Sequence, residues 1–269
     1  MLGSILQQHP PILIRFVRLF LPGFHAKVGV FAALVGCAVA VISLALFARI
    51  DAHANGSVYQ ASSPTADGIG KSYMGREIAG VMGWQAAAWL EREQRAQEER
   101  PDLLLGELKL KPGMVVADIG AGSGYYTRRM ADAVGKTGKV YAVDVQPQMV
   151  QMLSAMAREV RYQNVLPILS GNDDVKLPVA SLDLAILVDV YHELEFPFEV
   201  MRSIVKSLKP DGRVAFVEYR AEDSAVPIKA LHKMRETQIK REAALHALAW
   251  ERTSNVLPWQ HIVIFRKKG

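Results

Sequence analysis

Residues 115–131, VVADIGAGSGYYTRRMA, decide how this chain is read. A short apolar run carries Asp118, glycines follow at 120, 122 and 124, and an amphipathic segment begins at Tyr125. That order predicts a buried strand, a tight turn and a helix, in which glycine lets the backbone approach a ligand in conformations a β-carbon forbids. A dinucleotide-binding loop needs glycine at its first, third and sixth positions, the last for close helix–strand packing. Here the sixth position is Tyr125, and no Gly-Lys-Ser/Thr follows for a phosphate loop.

Outward from this turn, strands and helices alternate. Strands are predicted at 114–119, 139–145, 165–169, 182–188, 213–219 and 261–266, and helices at 125–134, 147–160, 197–208 and 228–248. Near-continuous apolar strands joined by helical crossovers predict an open, doubly wound α/β sheet covered on both faces. Upstream, the apolar spacing of Ile78, Val81, Met82, Trp84, Trp89 and Leu90 predicts a helix from Tyr73, with both tryptophans packed. The charged run Glu91 to Asp102 reads as a solvated helix face.

The glycine turn resembles motif I of class I S-adenosylmethionine-dependent methyltransferases, whose Asp-x-Gly-x-Gly-x-Gly is met by Asp118, Gly120, Gly122 and Gly124. Downstream stretches strengthen the resemblance. KVYAVDV ends in Asp144, where the family places an acid on the ribose hydroxyls. GNDDVKLP, 171–178, is similar to the segment after the third strand, with Asn172 inserted, so Asp173 and Asp174 compete for the adenine amino group. SLDLAILVDVYHELEFPFEVMRSIVKSLKPDGRVAFVEYR, 181–220, is similar to the fourth strand, helix and fifth strand of the small-molecule type. The resemblance implies a Rossmann-like methyltransferase fold, a seven-stranded mostly parallel sheet closed by an antiparallel strand at 261–266. It also implies S-adenosyl-L-methionine as cofactor, with Asp189 near its methionine end. Asp118 either touches the ligand or only braces the turn.

Methyl transfer from a sulfonium mainly needs the acceptor aligned and water excluded, and a base only where the acceptor must lose a proton. The end of the fourth strand, Asp189-Val190-Tyr191-His192-Glu193, is the place for such a group. An imidazole ordinarily titrates near neutral pH, so His192 is the first catalytic candidate, with a pocket wall as its other reading; Tyr191 and Glu193 come after it. Glu218 and Tyr219 end the fifth strand and either line the acceptor pocket or simply finish the strand. Tyr73, Arg76 and Trp84 fall where this family often lids the cofactor. The seven histidines show no ligand spacing, so no metal is expected.

The first 72 residues carry no part of the resemblance. Val28 to Ala48 runs 21 residues without a charge between Lys27 and Arg49, long enough as a helix to cross a bilayer. The expected organisation is a leader at 1–27, a transmembrane segment at 28–48, a linker at 49–72 and a methyltransferase domain at 73–269. A cleaved signal ending near Ala52-His53-Ala54 and a lipoprotein box at Leu34 to Cys37 are the competing readings of the apolar run. Basic residues concentrate before the span, which by the positive-inside rule puts the catalytic domain away from the cytosol, where the donor is made. A start at Met74 would give a form without leader, anchor or linker.

The net charge of +5 does not point to nucleic acid. Residues 1–54 hold four basic side chains against Asp51, a net +3, and only +2 is left for the other 215 residues. The single cysteine, Cys37, excludes an intrachain disulfide and a cysteine metal cluster. The expected activity is therefore methylation of a small, lipid-soluble acceptor by a membrane-anchored enzyme. The alternatives are a protein methyltransferase and a catalytically inactive cofactor-binding scaffold of the same fold.

Overall fold

The computed structural model describes residues 58–269. The expected leader and the apolar stretch 28–48 lie outside them; among the described residues no helix is long and apolar enough to cross a membrane.

The chain enters through a small antiparallel sheet, β1 (Tyr59–Ala61), β2 (Gly68–Tyr73) and β3 (Arg76–Ala79). Here the structure corrects the sequence reading. The stretch from Tyr73 begins as half of a hairpin and is helical, as 3₁₀, only from Trp84, and β1 and all of β2 but Tyr73 fall within the stretch expected to be a linker. The two residues between β2 and β3, Met74 and Gly75, both have positive φ (50° and 87°), the backbone of a turn whose twist matches the flanking strands. A 3₁₀ segment, Trp84–Glu91, follows, then α1 (Arg95–Glu99) and α2 (Pro101–Leu108).

The main sheet takes β4 (Val115–Ile119), β5 (Lys139–Asp144), β6 (Val165–Leu169), β7 (Leu182–Val188), β8 (Leu208–Tyr219), β9 (Leu248–Ser254) and β10 (Gln260–Lys267). Its order is β6-β5-β4-β7-β8-β10-β9. The first five strands are parallel, while β10 runs antiparallel to both neighbours. Helices α3 (Tyr125–Val134), α4 (Pro147–Ala157) and α5 (Pro197–Ser207) make the crossovers, and α6 (Glu236–Ala243) precedes β9. Prolines at the starts of α4 and α5 cost no hydrogen bond, because the first amides of a helix have no partner within it.

Successive strand residues face opposite layers. Val116, Leu184 and Ile186 join Leu104, Met130 and Leu153 on one face; Ala117, Ala185 and Leu187 join Met201, Phe216 and Ile239 on the other. Both faces are thus apolar, as a sheet with helices on each side requires. β4 lies between β5 and β7, so the strand order reverses beside it, and a crevice opens beyond the carboxyl ends of these strands.

The expected helix 228–248 is also corrected. Only Glu236–Ala243 is α-helical, and the tail of that stretch begins β9. Among the described residues this strand pairs only with β10 and lies at the sheet edge, half in water, with Trp250 exposed, so it carries no apolar run to announce it.

Candidate functional site

A cavity of about 760 Å³ lies over the carboxyl ends of β4, β5, β7 and β8. It falls in the upper part of the range typical of small-molecule sites, about 300–1,000 Å³.

The turn after β4 forms one side. Gly120 has φ +71°, and a β-carbon there would come within 2.3 Å of Val190 Cγ2. Gly122, φ +55°, would come within 2.7 Å of Leu90 Cδ1. The glycines therefore also admit protein, the loop after β7 and the 3₁₀ segment, besides opening backbone to the cavity. Gly124, φ +84°, starts α3 and does not line the cavity.

Asp144, at the end of β5, accepts from the Gly122 amide through Oδ2 and from the Gln146 amide through Oδ1, each at 2.9 Å. Burial raises its pKa against these two bonds. Asp118 is fully sunk behind the turn and accepts from Thr127 Oγ1 at 2.6 Å. Burial pushes its carboxyl up to about 6, although Thr127 and Arg95 pull the other way. Of the two carboxylates expected after β6, neither lines the cavity. Asp174 turns to Ser203 Oγ at 2.6 Å and the Lys176 amide at 2.8 Å, capping the turn, and Asp173 is exposed. Asn172, which the sequence reading treated as an insertion, lines the cavity instead, its amide donating to Glu195 at 2.9 Å.

The opposite side is built from the loop after β7, the end of β8 and the stretch 227–232. Asp189 adopts φ +53°. Its Oδ2 accepts from Gln260 Nε2 at 3.0 Å, whereas its buried Oδ1 has no partner among the described residues. Burial first, then the negative charges of Glu99 and Glu218, raise its pKa well above the ordinary carboxylate range. His192 is buried with Nδ1 at 2.5 Å from Glu218 Oε2 and Nε2 at 3.2 Å from His232 Nδ1. Burial alone would lower its pKa, but the carboxylates of Glu218 and Glu193 outweigh this and raise it to about 10. Glu193 Oε1 is 3.2 Å from His232 Nδ1, and its Oε2 accepts from the Met82 amide at 3.2 Å.

Tyr191, expected as a second catalytic side chain, points away. It is fully buried edge-on against Phe216 in the core and does not line the cavity. In the 3₁₀ turn Tyr191–Glu193 three side chains are spread around one turn and cannot all share a side; His192 and Glu193 reach the cavity and Tyr191 enters the core. Glu218 lies behind His192 and also accepts from the Tyr191 amide at 2.9 Å, while Tyr219 reaches the cavity. Arg76 is on β3; it pairs with Glu242 at 2.9 Å and donates to the His192 carbonyl at 3.2 Å.

The charged run 91–102 is solvated along most of its length but turns two charged side chains inward. Arg95 and Glu99 are buried, and Glu99 accepts from Arg95, Arg92, Tyr126 and Tyr219 at 2.9–3.1 Å. The tryptophans expected to be packed, Trp84 and Trp89, are 38% and 45% exposed, and Trp89 stands at the cavity wall. Sequence reasoning missed Arg95, Glu99 and His232: the acidic and basic partners alternate as on any solvated helix, and His232 lies 40 residues from His192.

The model of the methyltransferase domain family matches residues 110–262. The chain is 42% identical over 62 residues to the protein-L-isoaspartate O-methyltransferase of Methanothrix thermoacetophila, covering 23% of this chain and 30% of that protein. It is 27% identical over 111 residues to the ubiquinone/menaquinone biosynthesis C-methyltransferase of Hydrogenovibrio crunogenus, 41% of this chain and 44% of that one. The chain thus spans less than half the length of the curated relatives it matches. A crystal structure of a SAM-dependent methyltransferase from Aquifex aeolicus shares the fold, with a TM-score of 0.65 and 24% identity over 70% of this chain and all of that one.

Proposed function

We propose that this chain, which belongs to the methyltransferase domain family, is an S-adenosylmethionine-dependent methyltransferase that acts on a small, largely apolar acceptor held beside Asp189 and His192. The observation that carries this reading is the cavity itself. It runs from the glycine turn to His192 and is walled by the N-terminal hairpin and by Pro227 and Ile228, which leaves room for a small molecule next to the cofactor.

When bound, S-adenosyl-L-methionine supplies a methyl group activated by a sulfonium sulfur. Asp144 suits its ribose: two backbone amides occupy only part of a carboxylate's roughly four acceptor positions, so the rest are free for a diol. The orphaned Asp189 Oδ1 is an acceptor for an ammonium at the methionine end, whose positive charge would draw its carboxyl back to the ionised form. Asn172, rather than Asp173 or Asp174, is the polar side chain available to the adenine edge. Gly120 and Gly122 keep the turn open, and Asp118 braces it through Thr127. His192, its Nδ1 held by Glu218, turns Nε2 toward the acceptor side, and the apolar walls exclude water from the line of transfer.

The match to an isoaspartate methyltransferase favours a second reading, a protein acceptor. Incubating the full chain with a membrane and cytosol extract and methyl-labelled S-adenosylmethionine separates the two. The first reading predicts label in organic-extractable small molecules; label confined to protein contradicts it. The uncharged stretch 28–48 supports a membrane anchor that would bring lipid-soluble acceptors to the cavity. The full chain should then resist alkaline carbonate extraction, and release by that wash would sink the anchor.

A further inference from the structure

We propose that His192, Glu193 and His232 form a binding site for a divalent transition-metal ion in the wall of the cavity. Three potential ligand atoms converge: His192 Nε2, His232 Nδ1 and Glu193 Oε1, separated by 3.2, 3.2 and 3.7 Å. A triangle with these sides has a centre roughly 2.0 Å from every corner, which is the bond length of zinc to imidazole nitrogen and carboxylate oxygen. The set therefore needs little rearrangement to close on an ion.

The donors fit the chemistry. Two imidazoles and one carboxylate suit zinc, cobalt or iron(II) rather than magnesium or calcium, which prefer all-oxygen shells. Three protein ligands also leave coordination positions open, as in catalytic rather than structural sites. Since all three residues line the cavity, those positions face the space assigned above to the acceptor.

The support behind the ligands is already built. Glu218 Oε2 holds His192 Nδ1 at 2.5 Å, so Nε2 is left to point at the ion, an arrangement that fixes both tautomer and ring orientation in metal sites. Glu218 is itself fixed by the Tyr191 amide at 2.9 Å, and Glu193 by the Met82 amide at 3.2 Å. His192 and Glu193 side chains are 2% and 9% exposed and His232 23%, so the ligands are held inside the protein with one approach from the cavity. The expectation of no metal rests on histidine spacing along the chain, whereas here the third ligand comes from a separate turn, Ala230–His232, 40 residues from His192. The binding claim does not depend on the acceptor reading; only the use of the open positions by an acceptor oxygen rests on it.

Cobalt(II) titration of the full-length chain, first stripped with a chelator, tests the site by visible absorption and by metal content after gel filtration. One Co²⁺ per chain is expected, with Zn²⁺ displacing it. His232→Ala and Glu193→Gln should each weaken binding by about 100-fold or more, and Glu218→Gln by about 10–100-fold, the usual effect of removing the group behind a ligand. His246→Ala, a histidine outside the cluster, should bind as wild type does. S-adenosylhomocysteine binding in the same samples reports both folding and the cofactor assignment, so a failure there is distinguishable from a failure of the metal site. The proposal is overturned if wild type takes up no stoichiometric Co²⁺, or if His232→Ala and Glu193→Gln bind it as tightly as wild type.

Discussion

The two sides of the cavity are built in different ways. The side at β4 and β5 is made of backbone: a glycine turn, two amides on Asp144, and a strand end fixed by parallel neighbours. The side at β7 and β8 is made of buried side chains that hold one another, Glu218 on His192, His192 on His232, and Glu193 on the Met82 amide. A backbone site keeps a strict local sequence, because each glycine and the acid that caps it must fall at fixed spacing. A side-chain site draws on parts of the chain far apart, and any one of them is free to change with the ligand it serves.

The largest effect should come from what both sides share. Glu99 ties Arg92 and Arg95 to Tyr126 and Tyr219 beneath the cavity, so Glu99→Ala leaves Arg95 buried without its partner. A loss of about 3–5 kcal/mol is expected in chemical denaturation. A loss below about 1 kcal/mol would mean that the network is ornamental and that the two sides stand separately.

Next is pH dependence on the turn side. Asp118 has a folded pKa raised to about 6 from 3.8, so the folded state holds the proton more tightly than the unfolded one. Its contribution to stability is full below pH 3.8 and is lost as pH rises through 6, by on the order of 3 kcal/mol. Asp118→Asn should flatten the stability profile between those pH values. An unchanged profile in that variant would place the titration elsewhere.

The smallest contrast separates Asn172 from its neighbour. Removing the Asn172 amide should weaken cofactor binding by about 1 kcal/mol, the ordinary worth of one hydrogen bond. Asp173→Ala should change it by less than about 0.5 kcal/mol, as expected of an exposed surface substitution. Equal affinities measured by calorimetry, or the reverse order, would restore the carboxylate to the adenine position.

The same contrast explains what the sequence made legible. Asp118, Gly120, Gly122 and Asp144 lie at the ends of β4 and β5 and line the cavity, and the sheet followed from apolar strands alternating with helices, because burial on both faces writes itself into consecutive residues. The start of the N-terminal stretch reads as helix because Ile78, Val81 and Met82 fall in helical spacing with Trp84, Trp89 and Leu90, which are 3₁₀ helical, while the turn signal at Met74-Gly75 rests on a single glycine. Arg95 and Glu99 looked solvated because a charged residue carries no mark of burial in its own identity. Tyr191 was misplaced for a local reason: three consecutive residues in a 3₁₀ turn cannot share one direction, and sequence alone does not say which of them faces the ligand. His232 was invisible, since it joins the site only through the tertiary course of the loop after β8.

The most direct test of the backbone side is calorimetric titration of S-adenosylhomocysteine into the full chain as wild type, Asp144→Ala and His232→Ala. Loss of roughly 100-fold in affinity, about 2.7 kcal/mol, is expected for Asp144→Ala, because two charge-assisted hydrogen bonds to the ribose are removed. His232→Ala should stay within about threefold of wild type. Wild-type affinity in Asp144→Ala would contradict the account, for the cofactor would then be held by something other than the end of β5.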